Sequence, residues 1–151
     1  MTSVEAVLLP VGGDLYGLPM TWMREVVAVT AGSVTPLVTA PAVVLGLVNL
    51  RGEIVPLLDT AALLGVGTVP APAFAAVLYT PYGPVGLAAT GFPERAALDA
   101  PTGPSELPGT AGVFRVDRRV VVLLDPAVLI APEHLGEPEP RARTSVSAGA
   151  G

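Results

Sequence analysis

The alternation of apolar and polar positions along the chain predicts short strands separated by turns rather than long helices. Turn signals rich in Gly, Pro and Asp break the apolar runs every few residues, which is typical of a β-rich domain. Outside the centre of the chain, the predicted strands cover residues 4–9, 15–18, 24–30, 73–80, 84–90 and 95–98. The first two form a hairpin, as do the fourth and fifth, because a turn that contains Gly joins each pair.

The centre of the chain combines two strands, a tight turn and a capped helix. Leu45 to Leu50 and Ile54 to Leu58 are apolar and rich in Val and Ile, and the turn Arg51-Gly52 lies between them. Asp59 ends the second strand. Its carboxylate can accept hydrogen bonds from the free backbone N–H groups that begin a helix at Thr60 to Leu64. Asp59 is therefore predicted to be a helix cap.

The last part of the predicted fold repeats this pattern 66 residues later. Glu53 to Gly65 lines up with Arg119 to Ala131, and each segment reads as a strand, an Asp and a short helix. Asp125 takes the place of Asp59 and is also predicted to cap its helix. Pro126 suits the first helical position, where no backbone N–H is needed. The repeat predicts two related β subdomains.

Composition brings in a membrane protein as an alternative. Of 151 residues, 51 % are hydrophobic and only 14 % are charged. Two long windows without charge, Val26 to Leu50 and Thr60 to Pro93, are both interrupted by Pro and Gly, so neither predicts a spanning helix. The chain begins without a basic segment typical of a signal peptide. We therefore expect a cytoplasmic protein without direct membrane insertion, and a small membrane-associated protein remains the alternative.

The charged and nucleophilic residues exclude several kinds of chemistry. The chain has no Cys, all eight basic residues are Arg, and the net charge is −5. Without Lys there is no P-loop and no Schiff base, and the negative charge argues against a nucleic-acid partner. His134 is the only His and makes a poor metal site. We expect no metal and no cofactor.

An aspartic protease is the enzyme that the sequence best resembles. Leu57 to Ala61 is similar to the signature apolar-apolar-Asp-Thr-Gly/Ala, and Asp125 would supply the second carboxylate of a proton-sharing dyad. Pro126, however, lacks the hydroxyl and the backbone N–H that this signature provides. The apolar pattern after each Asp favours a helix over an active-site loop. Helix capping by Asp59 and Asp125 therefore remains the preferred interpretation, and no catalysis is predicted.

The central run contains a specific series of residues: Gly46, Val48, Asn49, Leu50, Arg51, Gly52, Ile54, Val55, Pro56 and Asp59. In order and spacing, this series resembles the signature of the CheW family, the coupling adaptors of bacterial chemotaxis. The similarity extends more weakly from about Val4 to Ile130. It implies a mainly β fold of two packed, five-stranded SH3-like barrel subdomains with short helices.

With this resemblance, we expect one CheW-like domain at 1–131. Its two subdomains are expected at about 15–72 and 73–125, with the N-terminal strand and the C-terminal helix packed on them. Residues 132–151 lose the apolar pattern and gain Pro, Glu, Arg, Ser and Gly, which predicts a disordered tail.

The resemblance implies a non-catalytic adaptor with two partners. These are the cytoplasmic tip of methyl-accepting chemoreceptors and the regulatory domain of a chemotaxis histidine kinase, which is itself CheW-like. Met23, Glu25, Asn49, Arg51 and Gly52 match family positions on the partner-binding face. Turn chemistry alone is an alternative explanation for Asn49 and Gly52. Glu25 and Arg51 are predicted to act together as a charged feature of this face.

Overall fold

Strands make up most of residues 3–135, the part of the chain that the computed structural model describes. In chain order they are β1 (Val4–Val11), β2 (Asp14–Pro19), β3 (Met23–Ala28), β4 (Val34–Thr35), β5 (Val44–Leu50), β6 (Glu53–Leu58), β7 (Phe74–Thr80), β8 (Gly83–Ala89), β9 (Glu94–Leu98), β10 (Thr110–Val116) and β11 (Arg119–Leu124). The helices are α1 (Thr60–Leu64), α2 (Pro126–Leu129) and α3 (Pro132–Leu135), with 3₁₀ turns at Met20–Trp22 and Ala31–Ser33. The predicted mainly β fold is confirmed.

The strands form two sheets. The first sheet has five strands in the order β10-β11-β2-β1-β9, and the second has six in the order β3-β7-β8-β6-β5-β4. The additional strand at the edge of the second sheet, β4, is only two residues long. Without it, both sheets have five strands. Within residues 3–135, no helix is long and apolar enough to cross a membrane.

The predicted subdomain boundaries of 15–72 and 73–125 are wrong. The first sheet is built from both ends of the domain, 4–19 and 94–124, whereas the second uses the middle, 23–89. Two parallel pairings produce this division, because β11 pairs with β2 and β6 pairs with β8. Each pairing joins strands that are distant or non-consecutive in sequence, and local periodicity carries no information about such partners.

The sequence repeat nevertheless corresponds to a structural repeat. In the first sheet, Leu123 of β11 lies opposite Gly17 of β2; in the second, Leu57 of β6 lies opposite Gly86 of β8. Hairpin β1–β2 of the first sheet thus corresponds to hairpin β7–β8 of the second, and hairpin β10–β11 corresponds to hairpin β5–β6. The two sheets are related copies whose hairpins occur in a different order along the chain.

Each sheet buries its own set of apolar side chains, and the two sets pack as one domain. A small group under the first sheet includes Leu8, Phe114 and Val121. The larger cluster continues between the sheets and includes residues of α1 and α2, and Trp22 packs against it half-buried. Thr90 joins the sheets directly, because its Oγ1 accepts a hydrogen bond of 3.1 Å from Gly12 N and its N–H donates to a carbonyl of β1.

The two aspartates that follow the repeated strands differ in their contacts. Asp59 occupies the N-cap of α1, and its Oδ1 accepts from Ala62 N at 2.9 Å. Asp125 occupies the N-cap of α2, but its side chain makes no capping hydrogen bond, so the predicted capping by its carboxylate is wrong. The N–H of Val128, which that carboxylate would bind, instead donates to the backbone carbonyl of Asp125 at 3.1 Å. Pro126 has no N–H to offer.

The predicted start of the disordered tail at residue 132 is wrong. Pro132–Leu135 forms the short helix α3, where a disordered tail had been predicted from residue 132 onward. The remainder of that prediction, residues 136–151, lies outside the described part of the chain.

Candidate partner-binding face

The turn between β5 and β6 holds Arg51 in an unusual backbone conformation. Leu50 and Glu53 are paired across the hairpin, and both residues between them have positive φ, 53° at Arg51 and 89° at Gly52. This is the signature of a type I′ turn, which matches the twist of the flanking strands. Asn49 Oδ1 accepts from Gly52 N at 2.8 Å and holds the turn in place. The Arg51 side chain extends from it, 65 % exposed.

A bulge in β3 places Glu25 and its neighbour. Met23 lies opposite Leu78 of β7, and Glu25 lies opposite the adjacent Val77, so Arg24 is an extra residue in the ladder. Bulges re-aim side chains that regular alternation would send to opposite faces. Arg24 and Glu25 consequently reach the same group of charges.

Four side chains form what we call the charged cluster: Arg24, Glu25, Arg51 and Glu53. Arg51 Nη2 donates to Glu25 Oε2 at 2.5 Å. Arg24 Nε lies 3.3 Å from the same Glu25 oxygen, and Arg24 Nη1 lies 2.7 Å from Glu53 Oε1. The Nη1 contact is short enough for an ion pair but is not aligned as a hydrogen bond. The two positive and two negative charges cancel within the cluster.

The ring of Tyr79, on β7, lies against the charged cluster. The Cζ atom of Arg24 lies 4.9 Å from the centre of the Tyr79 ring, within the range of a cation–π contact. Contact with Glu53 is the main cause that raises the pKa of Arg24 above its ordinary value, so this guanidinium stays charged. Arg24 is also the most buried member of the charged cluster, with 19 % of its side chain exposed.

The structure brings together only some of the residues proposed from the sequence. Glu25 and Arg51 are in contact, whereas Asn49 and Gly52 form the turn that supports Arg51. Met23 is half-buried and packs against the core beneath the face. The sequence interpretation missed Arg24, Glu53 and Tyr79. The available signal was that a charged pair, Arg24-Glu25, stands at the start of a Val-rich strand, and that Glu53 directly follows the turn.

Exposed apolar side chains occur on the strands and hairpins that carry these charges. Ile54, which pairs with Asn49 on β5, is 53 % exposed, and Tyr79 is 60 % exposed. Tyr82 in the turn that follows β7 is 72 % exposed. Tyr and Arg are enriched where proteins bind each other, so this combination is suited to a protein partner.

A groove of about 550 Å³ lies elsewhere, along β2 and β11 of the first sheet. Asp14, Tyr16 and Arg119 are among its lining residues, and no member of the charged cluster is. Burial, assisted by the nearby Asp14 carboxylate, raises the pKa of Tyr16 above its ordinary value. The phenol is therefore neutral under ordinary conditions.

The geometry of Asp59 argues against a protease dyad. Its Oδ1 accepts from Ala62 N and Val69 N, and its Oδ2 lies 3.2 Å from Val69 N. Its hydrogen bonds thus go to backbone amides, whereas a dyad needs two carboxylates that share a proton. Asp59 and Asp125 also end strands of different sheets. No group of three or more potential metal ligands occurs within residues 3–135.

Two related curled sheets, with an exposed face of ion pairs and aromatic side chains, define a β-rich protein-interaction module. A comparison with protein-family models matches residues 5–133 to the CheW-like domain. The chain belongs to this family, whose members are scaffolds and adaptors of bacterial chemotaxis.

Among solved structures, the scaffolding protein TtCheW from Thermoanaerobacter tengcongensis has the same fold. The TM-score is 0.74 at 20 % sequence identity, over 91 % of this chain and 93 % of that one. This likeness confirms the predicted architecture of two SH3-like subdomains. A search of curated protein sequences found no match.

Proposed function

We propose that this protein is a cytoplasmic adaptor that couples methyl-accepting chemoreceptors to a chemotaxis histidine kinase. Its partner-binding face contains the charged cluster. The observation that supports this most strongly is the hydrogen bond between Glu25 and Arg51. The family resemblance assigned both residues to the partner-binding face on their sequence positions alone.

Folding stability alone does not explain this pair. An exposed ion pair typically contributes only about 0 to 1 kcal/mol to stability. Arg51 also occupies a left-handed backbone conformation, which costs a non-glycine residue of order 1 kcal/mol. A charged residue at such a position is better explained by binding, where charge complementarity selects partners and orients them.

The proposed contact combines charge with apolar surface. Arg51 is the most exposed of the four charges, and Ile54 of the same hairpin offers exposed apolar surface. Met23 supports β3 from the core side. In this account the partner covers the apolar side chains and meets Arg51 with a polar or acidic group.

Calorimetric titration tests the proposal. The purified protein should bind the isolated regulatory domain of a chemotaxis kinase and a peptide hairpin that represents the receptor tip. Arg95→Glu provides the matched control, because Arg95 is 71 % exposed on β9 of the other sheet. Arg95→Glu reverses an arginine charge outside the proposed face, as Arg51→Glu does within it. The affinity of Arg95→Glu for both partners should therefore equal that of the wild type. If the wild-type protein binds neither partner at micromolar concentrations, the proposed function is wrong.

A further inference from the structure

We propose that Arg24 is a positioning residue that holds Glu25 against Arg51, by balancing the two glutamates that it contacts on the second sheet. The inference rests on the proposed function, because it explains how the binding face is kept in shape. Arg24 contacts both glutamates and the Tyr79 ring, yet it is the least exposed member of the charged cluster. It is placed to organise the face rather than to present a charge to the partner.

The related first sheet shows why this chain needs such a residue. Glu94 lies opposite Leu8, which in turn lies opposite Gly17. In the second sheet Glu25 lies opposite Val77, which in turn lies opposite Gly86. Glu94 and Glu25 therefore occupy corresponding positions in the two sheets.

The residues that begin β11 and β6 correspond in the same way, but their charges are opposite. Arg119 begins β11 and Glu53 begins β6. In the first sheet, Arg119 Nη1 donates directly to Glu94 Oε2 at 2.6 Å. In the second sheet, two carboxylates occupy these positions, and like charges so placed repel each other unless a cation lies between them.

The bulge in β3 provides that cation. The register of β1 with β9 is continuous from Val4↔Leu98 to Leu8↔Glu94. The register of β3 with β7 shifts at Arg24 instead, and this extra residue bridges Glu25 and Glu53. Without Arg24, the remaining three charges would carry a net charge of −1. Glu53 would then compete with Glu25 for Arg51.

A rescue experiment tests this role. Arg24→Gln should weaken binding to the kinase regulatory domain roughly fivefold or more, because Glu53 would then compete with Glu25 for Arg51 and displace the charged pair from the interface. Glu53→Gln alone should change affinity less than about twofold, because the Glu25–Arg51 pair remains. The double variant Arg24→Gln/Glu53→Gln, which restores charge balance, should return to within about twofold of the wild type. Arg95→Gln on the first sheet is the control for loss of an arginine.

A second readout needs no partner. The Arg51 Nε–H signal in a nitrogen-15 NMR spectrum should shift in Arg24→Gln and return towards its wild-type position in the double variant. If Arg24→Gln leaves this signal unchanged, or if the double variant does not restore it, the positioning role is wrong. If the wild-type protein binds no partner, the proposed function fails, and the NMR comparison still decides the role of Arg24.

Discussion

Glu25 and Arg51 are hydrogen-bonded although β7 and β8 separate their strands in the sheet. They meet because the second sheet curls and brings β3 towards the β5–β6 hairpin. Val27 of β3, Val48 of β5 and Val77 of β7 line one small pocket. The ion pair therefore links two distant parts of the sheet at its rim, and its geometry depends on the whole sheet.

Asp59 should contribute more to stability than an ordinary helix cap. Its carboxylate is 2 % exposed and accepts hydrogen bonds from Val69 N as well as Ala62 N. Asp59→Ala leaves the buried amide of Val69 and the half-buried amide of Ala62 without this acceptor and should lower the free energy of unfolding by about 2 to 3 kcal/mol. Asp59→Asn should cost about 1 kcal/mol or less, because an amide oxygen can accept both bonds. Urea denaturation measures both values.

Asp125→Ala is the matched control for that experiment. Asp125 stands at the corresponding position but makes no capping hydrogen bond. Its replacement should change the free energy of unfolding by less than about 0.5 kcal/mol. Equal losses for Asp59→Ala and Asp125→Ala would contradict the difference that the structure shows. Peptide cleavage by the protein, abolished in Asp59→Asn, would revive the protease alternative.

Gly46 should be the least replaceable glycine of the central run. A Cβ at this position would lie 2.5 Å from the backbone oxygen of Thr35, and the residue has a φ of 156°. Gly46→Ala should therefore force β4 away from β5 and lower the melting temperature by at least about 10 °C, the result of several kcal/mol. Gly86→Ala is the control, because its Cβ would meet neighbours at an ordinary 3.4 Å. A small, equal effect of both substitutions in a thermal melt would show that β4 can shift freely.

Tyr16 should make the stability of the fold depend on alkaline pH. Burial raises its pKa in the folded protein above the ordinary value of 10.0, so the folded state favours the neutral phenol. The contribution of Tyr16 to the free energy of unfolding is complete below pH 10.0. It falls as the pH rises from there through the pKa of Tyr16 in the folded protein. The free energy of unfolding of the wild type should therefore decline over this range. Tyr16→Phe should decline less steeply, and an identical slope for both proteins would rule out the contribution of Tyr16.

Local elements of this fold could be predicted from the sequence because their causes are local. The Arg51-Gly52 turn, the Asp59 cap and the paired hairpins depend on residues a few positions apart. The partners of the hairpins could not be predicted in this way. β2 joins β11 from the far end of the domain, and the side chains that select this pairing are spread over both elements.

The candidate site was only partly predictable for the same reason. Resemblance to a family identified Glu25 and Arg51, but the contacts of Arg24 depend on a bulge that no local pattern indicates. The contribution of Glu53 depends on the curl of the second sheet. For Asp125 the sequence predicted a contact that the structure lacks. Its position matches that of Asp59, but its side chain makes no capping hydrogen bond.

The central claim is that Arg51 and Glu25 form the charged part of the partner-binding face. The most direct test is the affinity of Arg51→Glu for the kinase regulatory domain and the receptor tip, measured beside its melting temperature. We predict a melting temperature within a few degrees of the wild type, because the pair is exposed and contributes about 0 to 1 kcal/mol to folding. Affinity should fall about tenfold or more, since a like or unpaired charge at an interface costs several kcal/mol. The double swap Glu25→Arg/Arg51→Glu should recover part of it, whereas wild-type affinity of Arg51→Glu for both partners would contradict the account.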